Sequence, residues 1–251
     1  MANYLNEQLS LMKKSFTELN LKFFLLVLFD VLLGAVISLS TLLWMYFIKI
    51  KGQAVASLPL GQLMQLGAQE MEKTLGTMQS FLFFLIASIV LLLVTFVLAW
   101  CLFKGLQWSI ALKKKFSAKY YGKFLLLNLI WILIWSIPFS IAAKMKAKAY
   151  AVYAAAILLM YFTVILYVLF TKENKFKKIL EAFSFGVKKF YFLVMPFSVT
   201  GVIIYILSLM RGFFLVLPRV FVVSLIIAAA LLFLSWSKFY LVKAVELAED
   251  K

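Results

Sequence analysis

Residues 112–135 read LKKKFSAKYYGKFLLLNLIWILIW, a cluster of lysines and tyrosines that leads directly into a long apolar run. Such runs recur along the chain and repeatedly exceed about 18 residues, the length typical of transmembrane helices. Of the 251 residues, 65% are hydrophobic and 14% are charged, which lies outside the range typical of soluble proteins. Because a helix satisfies its own backbone hydrogen bonds in lipid, the composition predicts an all-α integral membrane protein.

The apolar runs predict a single transmembrane domain, residues 1–251, built as a six-helix bundle. Each run is long enough to cross a hydrocarbon core of about 30 Å at 1.5 Å per residue. The last two runs are separated only by RGFFLVLPR at 211–219, where a glycine, a proline and two arginines predict a tight turn. The six predicted spans are about 22–48, 80–103, 124–143, 149–171, 190–210 and 220–242.

Lysine and arginine counts predict the orientation of these spans. The segments on the side of the two termini carry 18 such residues, and the segments on the other side carry 8. Cytoplasmic loops carry the excess of positive charge in membrane proteins. We therefore expect a multi-pass protein of the cytoplasmic (inner) cell membrane with both termini in the cytoplasm.

The opening stretch belongs to a pattern that occurs three times. ALKKKFSAKYYGKFLL at 111–126 aligns without gaps with LMKKSFTELNLKFFLL at 11–26, and EAFSFGVKKFYFLV at 181–194 is a shorter third copy. The pattern predicts a three-fold repeat of one basic amphipathic helix followed by a pair of spanning helices. The repeat units are about 1–103, 104–171 and 172–251.

Helical spacing supports the amphipathic part of each unit. Apolar residues recur at intervals of three or four, which places them on one stripe of a helix. The stripes are Leu5, Leu9, Met12, Phe16 and Leu19 in the first copy, Trp108, Leu112, Phe116 and Tyr120 in the second, and Phe176, Leu180, Phe183, Val187 and Phe190 in the third. We expect three interfacial helices in the headgroup plane of the cytoplasmic leaflet.

Lysines beside these stripes are candidates for contact with anionic lipid headgroups. The alternative is that they only set the topology of the chain. Nucleic acid is not an expected partner despite the formal net charge of +16, whereas a protein partner or a second copy of the chain is. The candidate lysines are Lys13, Lys14, Lys113, Lys114, Lys115, Lys119, Lys177, Lys178, Lys188 and Lys189.

The loop at 49–79 is the only long one on its side of the predicted bundle. Leu60, Met64, Met71 and Leu75 line one side of a helix in this segment. The spacing predicts a short amphipathic helix that rests on the outer surface or caps the bundle.

Asp30 is the only acidic residue well inside a predicted span, and Asn128 lies at comparable depth in the third span. A buried ionisable group in a membrane indicates either a functional site or a paired structural group. Asn128, a serine or threonine, or a lysine reaching inward are the candidate structural partners of Asp30. Pro138 and Pro196 interrupt the third and fifth spans, where they predict helix kinks.

Sequence motifs for catalysis are missing from the chain. There is no histidine and only ten acidic residues, nearly all in loops or near the termini. Neither a metalloprotease motif nor a phosphate-binding loop occurs. We therefore expect no catalytic residue, no metal ligand set and no cofactor, and a protein that is not an enzyme.

The junctions WSIALKKKFSAKYYGKF at 108–124 and KILEAFSFGVKKFYF at 178–192 lead from basic segments into spans. With the repeat, they resemble poorly characterised six-helix prokaryotic membrane families, among them the membrane domain fused to some glycerophosphoryl diester phosphodiesterases. The resemblance implies a six-helix membrane domain over nearly the whole chain. It implies no phosphodiesterase activity, because the hydrolase domain of those fusions has no counterpart in these residues.

Two functions follow from these patterns. The first is a non-enzymatic membrane module that organises lipids or partner proteins through its basic amphipathic segments. The second is a small-solute or ion carrier or channel that uses Asp30 and Asn128 in the bundle interior. The module hypothesis predicts that Asp30→Asn is tolerated and that charge reversal at Lys113, Lys114 and Lys115 disrupts binding, and the carrier hypothesis predicts the opposite.

Overall fold

A computed structural model describes residues 2–17, 20–58, 68–145, 148–213 and 219–250, which form α-helices joined by turns and short extended segments. Within these ranges there is no β-strand. The helices are α1 (Ala2–Phe16), α2 (Leu21–Ala56), α3 (Ala68–Ala111), α4 (Ala118–Lys144), α5 (Lys148–Glu173), α6 (Lys178–Lys188), α7 (Phe190–Phe213) and α8 (Arg219–Glu249).

Among the described residues, five helices are long and apolar enough to cross a membrane, and the number is six if α6 and α7 together form one bent span. An all-helical chain with five to six long apolar helices, compatible with a membrane bundle, is therefore confirmed, and the count of six spans stays a prediction. The apolar stretches are Leu21–Gln53, Gln69–Ala111, Ala118–Lys144, Ala149–Glu173 and Val223–Glu249, with Lys178–Lys188 and Phe190–Ile203 as the bent pair. The turn predicted within residues 211–219 falls largely on 214–218, which lie outside the described residues.

Helices α2 and α3 are much longer than their predicted spans. At 1.5 Å per residue, the 36 residues of α2 measure about 54 Å and the 44 residues of α3 about 66 Å. The short amphipathic helix predicted within 49–79 is therefore wrong in its second half, because Met71 and Leu75 lie in α3 itself. Good helix formers and the acidic Glu70 in the first turn favour this longer helix. Leu60 and Met64 lie outside the described residues.

The second predicted amphipathic helix is also wrong. Helix α3 ends at Ala111, and Lys113 adopts a left-handed conformation with φ of 56°. Ser117 then caps α4 by accepting a hydrogen bond from the backbone N–H of Tyr120 at 3.1 Å. Trp108 and Tyr120, predicted to share one stripe, lie on different helices and are both buried. The tri-lysine segment is thus a turn between two long helices, and the three-fold repeat stays a prediction.

The chain divides into two compact units. The first unit comprises residues 1–31 and 101–251, and the second comprises residues 32–100. In the second unit, Trp44 Nε1 donates a hydrogen bond to Ser88 Oγ at 3.1 Å, and the Phe81 ring lies over Gly52. Later residues of α2 contact earlier residues of α3, since Trp44 meets Ser88 and Gly52 meets Phe81. The two helices of this unit are therefore antiparallel.

An aromatic core joins α4 and α5 in the first unit. The fully buried Phe124 ring lies 4.9 Å from Tyr167, 5.6 Å from Tyr120 and 6.2 Å from Phe170, measured between ring centroids. The Tyr120 hydroxyl shares a 2.8 Å hydrogen bond with Thr171 Oγ1. Aromatic pairs at these separations add to the stabilisation from burial. The polar tips of the rings are paired because an unpaired hydroxyl in this core would be costly.

Helices α6 and α7 meet at a bend of 88°, at Lys189. The last carbonyls of a helix have no partner within that helix. The Tyr161 hydroxyl supplies one by donating to the Gly186 carbonyl at 2.7 Å. Pro138 lies inside α4 and Pro196 lies inside α7, seven residues after the bend. The sharp bend is therefore not at either predicted proline kink.

Gly186→Ala is expected to destabilise the fold by about 1–3 kcal/mol, the usual effect of overpacking a core. A Cβ atom at this position would lie 2.6 Å from Phe162 Cε1, on a ring that is itself packed against Phe183. The measurement is unfolding in detergent micelles. Gly122→Ala is the control, because a Cβ there meets nothing within 4 Å and alanine favours the helix. Equal stabilities for the two variants would contradict the close packing at the bend.

Candidate functional site

Three helices bring one carboxylate and two ammonium groups together in the first unit. Asp30 of α2 accepts from Lys104 Nζ of α3 at 2.8 Å through Oδ1 and from Lys238 Nζ of α8 at 2.6 Å through Oδ2. Their side chains are 9%, 16% and 10% exposed, respectively. We call these residues, with Gln107 and Ser235, the Asp30 cluster.

The two uncharged members complete the hydrogen bonds of the cluster. Gln107 Oε1 accepts from Lys238 Nζ at 2.9 Å, and Gln107 Nε2 donates to the Leu26 carbonyl at 3.2 Å. Ser235 Oγ donates to Asp30 Oδ2 at 3.1 Å. Gln107 lies three residues after Lys104, and Lys238 three after Ser235, so each helix presents its two members on one face.

The geometry of the Asp30 cluster is that of an interhelical anchor. Both carboxylate oxygens accept hydrogen bonds from ammonium groups, and such charge-assisted bonds are about twice as strong as neutral ones. A buried ion pair of this kind adds little net stability, but removing one partner leaves the other charge buried and uncompensated. The cluster therefore links α2, α3 and α8, and both oxygens of Asp30 are occupied by lysine contacts.

The structure places Asp30 and Asn128 in different hydrogen-bond networks. Asn128 Nδ2 donates to the Phe124 carbonyl at 2.7 Å, and Asn128 Oδ1 accepts from the Tyr167 hydroxyl. Asn128 is thus part of the aromatic core between α4 and α5. Of the three kinds of structural partner expected for Asp30, the structure supplies a serine and two lysines.

Sequence reasoning found the acid but missed its counterions. Lys104 was assigned to a cytoplasmic loop, although α3 continues through it to Ala111. Lys238 is one of the 18 basic residues that the charge count places on the side of the termini, even though it lies inside the predicted span 220–242. A search for cations inside the predicted spans, prompted by the buried acid, would have found Lys238.

Helix α1 packs on α8 through polar residues. Gln8 and Ser15 are buried, and Gln8 Oε1 accepts from the Tyr240 hydroxyl at 3.4 Å. Leu9 and Phe16, two members of the predicted apolar stripe, are exposed instead. The outward side of α1 therefore presents these two apolar residues next to exposed Ser10 and Lys13. Phe16 also stacks on Trp236 of α8, with ring centroids 4.7 Å apart, so it extends from the helix contact to the outer surface.

Helix α6 repeats this arrangement. Its inward side consists of Lys178, Ile179, Ala182 and Gly186, which are buried. Leu180 is 77% exposed and Val187 is 70% exposed, and Phe190, at the start of α7, is also exposed. These three residues belong to the predicted stripe. Two other members of the stripe face inward, because Phe183 packs on Trp131 and Phe162 and Phe176 packs on Phe170.

The candidate lysines differ in their surroundings. Lys178 is buried and paired with Glu173 and Glu181, so it is the member least accessible to a headgroup. Lys189 lies at the bend and is partly buried. The others are exposed beside α1, on the turn between α3 and α4, or along α6: Lys13, Lys14, Lys113, Lys114, Lys115, Lys119, Lys177 and Lys188.

Among the described residues, no three cysteine, aspartate or glutamate side chains are grouped so that they could hold a metal ion. Comparison with protein-family models, with curated proteins and with solved structures finds no match for this chain. The resemblance to six-helix membrane families therefore stays a prediction. Any assignment of function rests on the exposed apolar sides of α1 and α6 and on the Asp30 cluster.

Proposed function

We propose that this chain is a non-enzymatic, multi-pass membrane module that organises anionic lipids, or partners recruited with them, at its predicted cytoplasmic face. The observation that carries the proposal is the outward apolar side of α1 and α6. An amphipathic helix in a soluble protein turns its apolar side to the core. Here apolar residues are also exposed, Leu9 and Phe16 on α1 and Leu180 and Val187 on α6, as expected of helices that lie in the headgroup region of a bilayer.

Charge next to these apolar sides supports the lipid as the contacting species. Lys13 and Lys14 accompany Leu9 and Phe16 on α1, while Lys177 and Lys188 flank the exposed side of α6. A lysine near an anionic membrane surface contributes roughly 1 kcal/mol to binding. Together, the apolar and cationic groups supply the two attractions that hold a peripheral helix to a membrane.

In this proposal the Asp30 cluster has a structural part. It fixes α8 against α2 and α3, and α8 in turn carries α1 through Tyr240 and Trp236. A stable α8 therefore keeps the outward side of α1 in place. The carboxylate is not required to exchange its partners.

A carrier or channel is the second candidate, and one observation favours it. Three ionisable side chains meet within the apolar helices α2, α3 and α8, where charged groups are usually functional. In that case Asp30 would release Lys238 during transport, and Asp30→Asn would abolish flux while leaving lipid binding unchanged.

The double variant Leu180→Glu/Val187→Glu tests the module directly. Reconstituted into nanodiscs of mixed phosphatidylglycerol and phosphatidylcholine, the wild-type protein is expected to enrich phosphatidylglycerol. In the variant the enrichment is expected to be at least about five-fold lower, because the two glutamates place negative charges on the exposed side of α6. The readout is the composition of lipids that remain bound after gentle extraction.

Lys49→Gln/Lys73→Gln is the matched control, because it changes the net charge by the same amount at exposed residues of the other unit. It is expected to keep the enrichment. If both double variants lose phosphatidylglycerol equally, net charge alone governs lipid binding and the assignment to α6 is wrong.

A further inference from the structure

The second unit contains a cavity of about 250 Å³ between α2 and α3. Its wall is formed by Lys51 and Val55 of α2 and by Thr77, Ser80, Phe81 and Phe84 of α3. On α3, Ser80 and Phe81 lie three and four residues after Thr77, and Phe84 lies one turn further, so the four residues share one side of that helix. The cavity is smaller than a typical site for a drug-sized ligand, so it suits one part of a larger amphiphile.

The lining residues can be placed in order along the two helices, with Val55 and Thr77 nearest the loop and Phe84 farthest from it. The Phe81 ring lies over Gly52, next to Lys51, and Phe84 lies one turn deeper, toward the Trp44–Ser88 hydrogen bond. Thr77 lies one turn of α3 from Phe81 in the opposite direction, on the side of the loop that joins the two helices. An amphiphile in the cavity would thus have its charged end at Lys51 and its hydrocarbon against the two phenylalanine rings.

The position of Lys51 along the chain fits a headgroup. The predicted span 22–48 ends three residues before it, so its ammonium lies near the predicted membrane interface, and it is exposed. A phosphodiester is anionic and accepts hydrogen bonds from ammonium and hydroxyl groups. A zwitterionic headgroup would also place a quaternary amine near Lys51, and this contact would be repulsive.

We infer that this cavity binds one anionic glycerophospholipid, with its phosphodiester at Lys51 and the hydroxyl of Ser80 and an acyl chain against Phe81 and Phe84. The site lies in residues 32–100 and is separate from the proposed lipid contacts of α1 and α6. It would place a bound lipid at the end of the predicted spans opposite to the chain termini.

A photoreactive phosphatidylglycerol tests this site. The lipid carries a diazirine in its acyl chain, and the full-length protein is irradiated in nanodiscs and digested for peptide mapping. Wild-type protein is expected to be labelled within residues 77–84. Lys51→Gln is expected to lower this labelling about five-fold, the effect of one lysine on an anionic headgroup.

Lys49→Gln is the matched control, because Lys49 is an exposed lysine two residues away that does not line the cavity. It is expected to leave the labelling unchanged. Equal labelling of Lys51→Gln and Lys49→Gln, equal labelling by a photoreactive phosphatidylcholine, or displacement of the lipid by millimolar inorganic phosphate would each overturn the proposal. The Leu180→Glu/Val187→Glu variant is expected to retain labelling within 77–84, so failure at α6 and failure at this cavity are distinguishable.

Discussion

Asp30→Asn is expected to lower the free energy of unfolding by about 3–5 kcal/mol, the usual effect of removing one partner from a buried ion pair. The asparagine side chain keeps the shape of the aspartate but removes the negative charge that lies 2.8 Å from Lys104 Nζ and 2.6 Å from Lys238 Nζ. All three side chains are well under one third exposed, so solvent screening reduces this effect only slightly. Unfolding in micelles, followed by circular dichroism, measures the change.

A second substitution separates the charge from the shape. Asp30→Asn/Lys238→Gln removes one uncompensated ammonium and is expected to recover at least about 1 kcal/mol relative to Asp30→Asn alone, since residues in one ionic network couple by this much. Asp250→Asn, at an exposed acid, is the control and is expected to be within about 0.5 kcal/mol of wild type. Wild-type stability in Asp30→Asn would show that the cluster does not anchor the helices. The sequence-based module hypothesis predicted that this substitution would be tolerated, and the two lysine contacts reverse that expectation.

Phe124→Ala is expected to destabilise the protein by about 3–5 kcal/mol, as for other large-to-small substitutions of buried aromatic residues. The Phe124 ring is fully buried among Tyr120, Tyr167 and Phe170. In a bilayer the surroundings are as apolar as the core, so the loss comes mainly from packing and from the cavity that remains. The same micelle unfolding experiment measures it.

Leu126→Ala provides the comparison, because Leu126 lies on the same helix two residues later and is exposed. Its loss is expected to stay below about 1 kcal/mol. If the two alanine variants were equally stable, the aromatic core would contribute no more than the lipid-facing surface, and the packing of α4 on α5 would need another explanation.

Several boundaries of the fold could be predicted from the sequence because they coincide with changes in hydropathy. Helix α7 begins at Phe190, the first residue of the predicted fifth span, and α8 begins at Arg219, next to the predicted start at 220. The ends of α2 and α3 could not be predicted in this way. Hydropathy indicates where the chain leaves the lipid, but a helix can continue beyond that point as long as its residues have a high helix propensity.

The basic segment at 108–120 was predicted wrongly for a related reason. Apolar residues three or four positions apart are expected on one side of a single helix, but the same spacing also occurs where one helix ends, the chain turns and a second helix begins. Trp108 and Tyr120 belong to the second case. The other two predicted stripes coincide with helices only in part, since Leu19 lies outside the described residues, Phe176 precedes α6 and Phe190 begins α7.

The sequence indicates the acidic residue of the Asp30 cluster but not its lysine partners. A lone acid within an apolar run is visible in any sequence, but its partners come from helices 74 and 208 residues away. Positive-inside counting assigns every lysine near a span end to a loop. It therefore hides a lysine that reaches inward, as Lys104 and Lys238 do.

Native mass spectrometry of the full-length protein, extracted gently from its own membrane, tests the proposed function most directly. The account predicts more than one anionic phospholipid retained per protein. Leu180→Glu/Val187→Glu is expected to lose the lipids bound at α6 and to keep the one in the cavity between α2 and α3, whereas Lys49→Gln/Lys73→Gln is expected to keep both kinds. A small solute retained by the wild-type protein and lost in Asp30→Asn, with no anionic lipid bound, would contradict the module and identify a carrier.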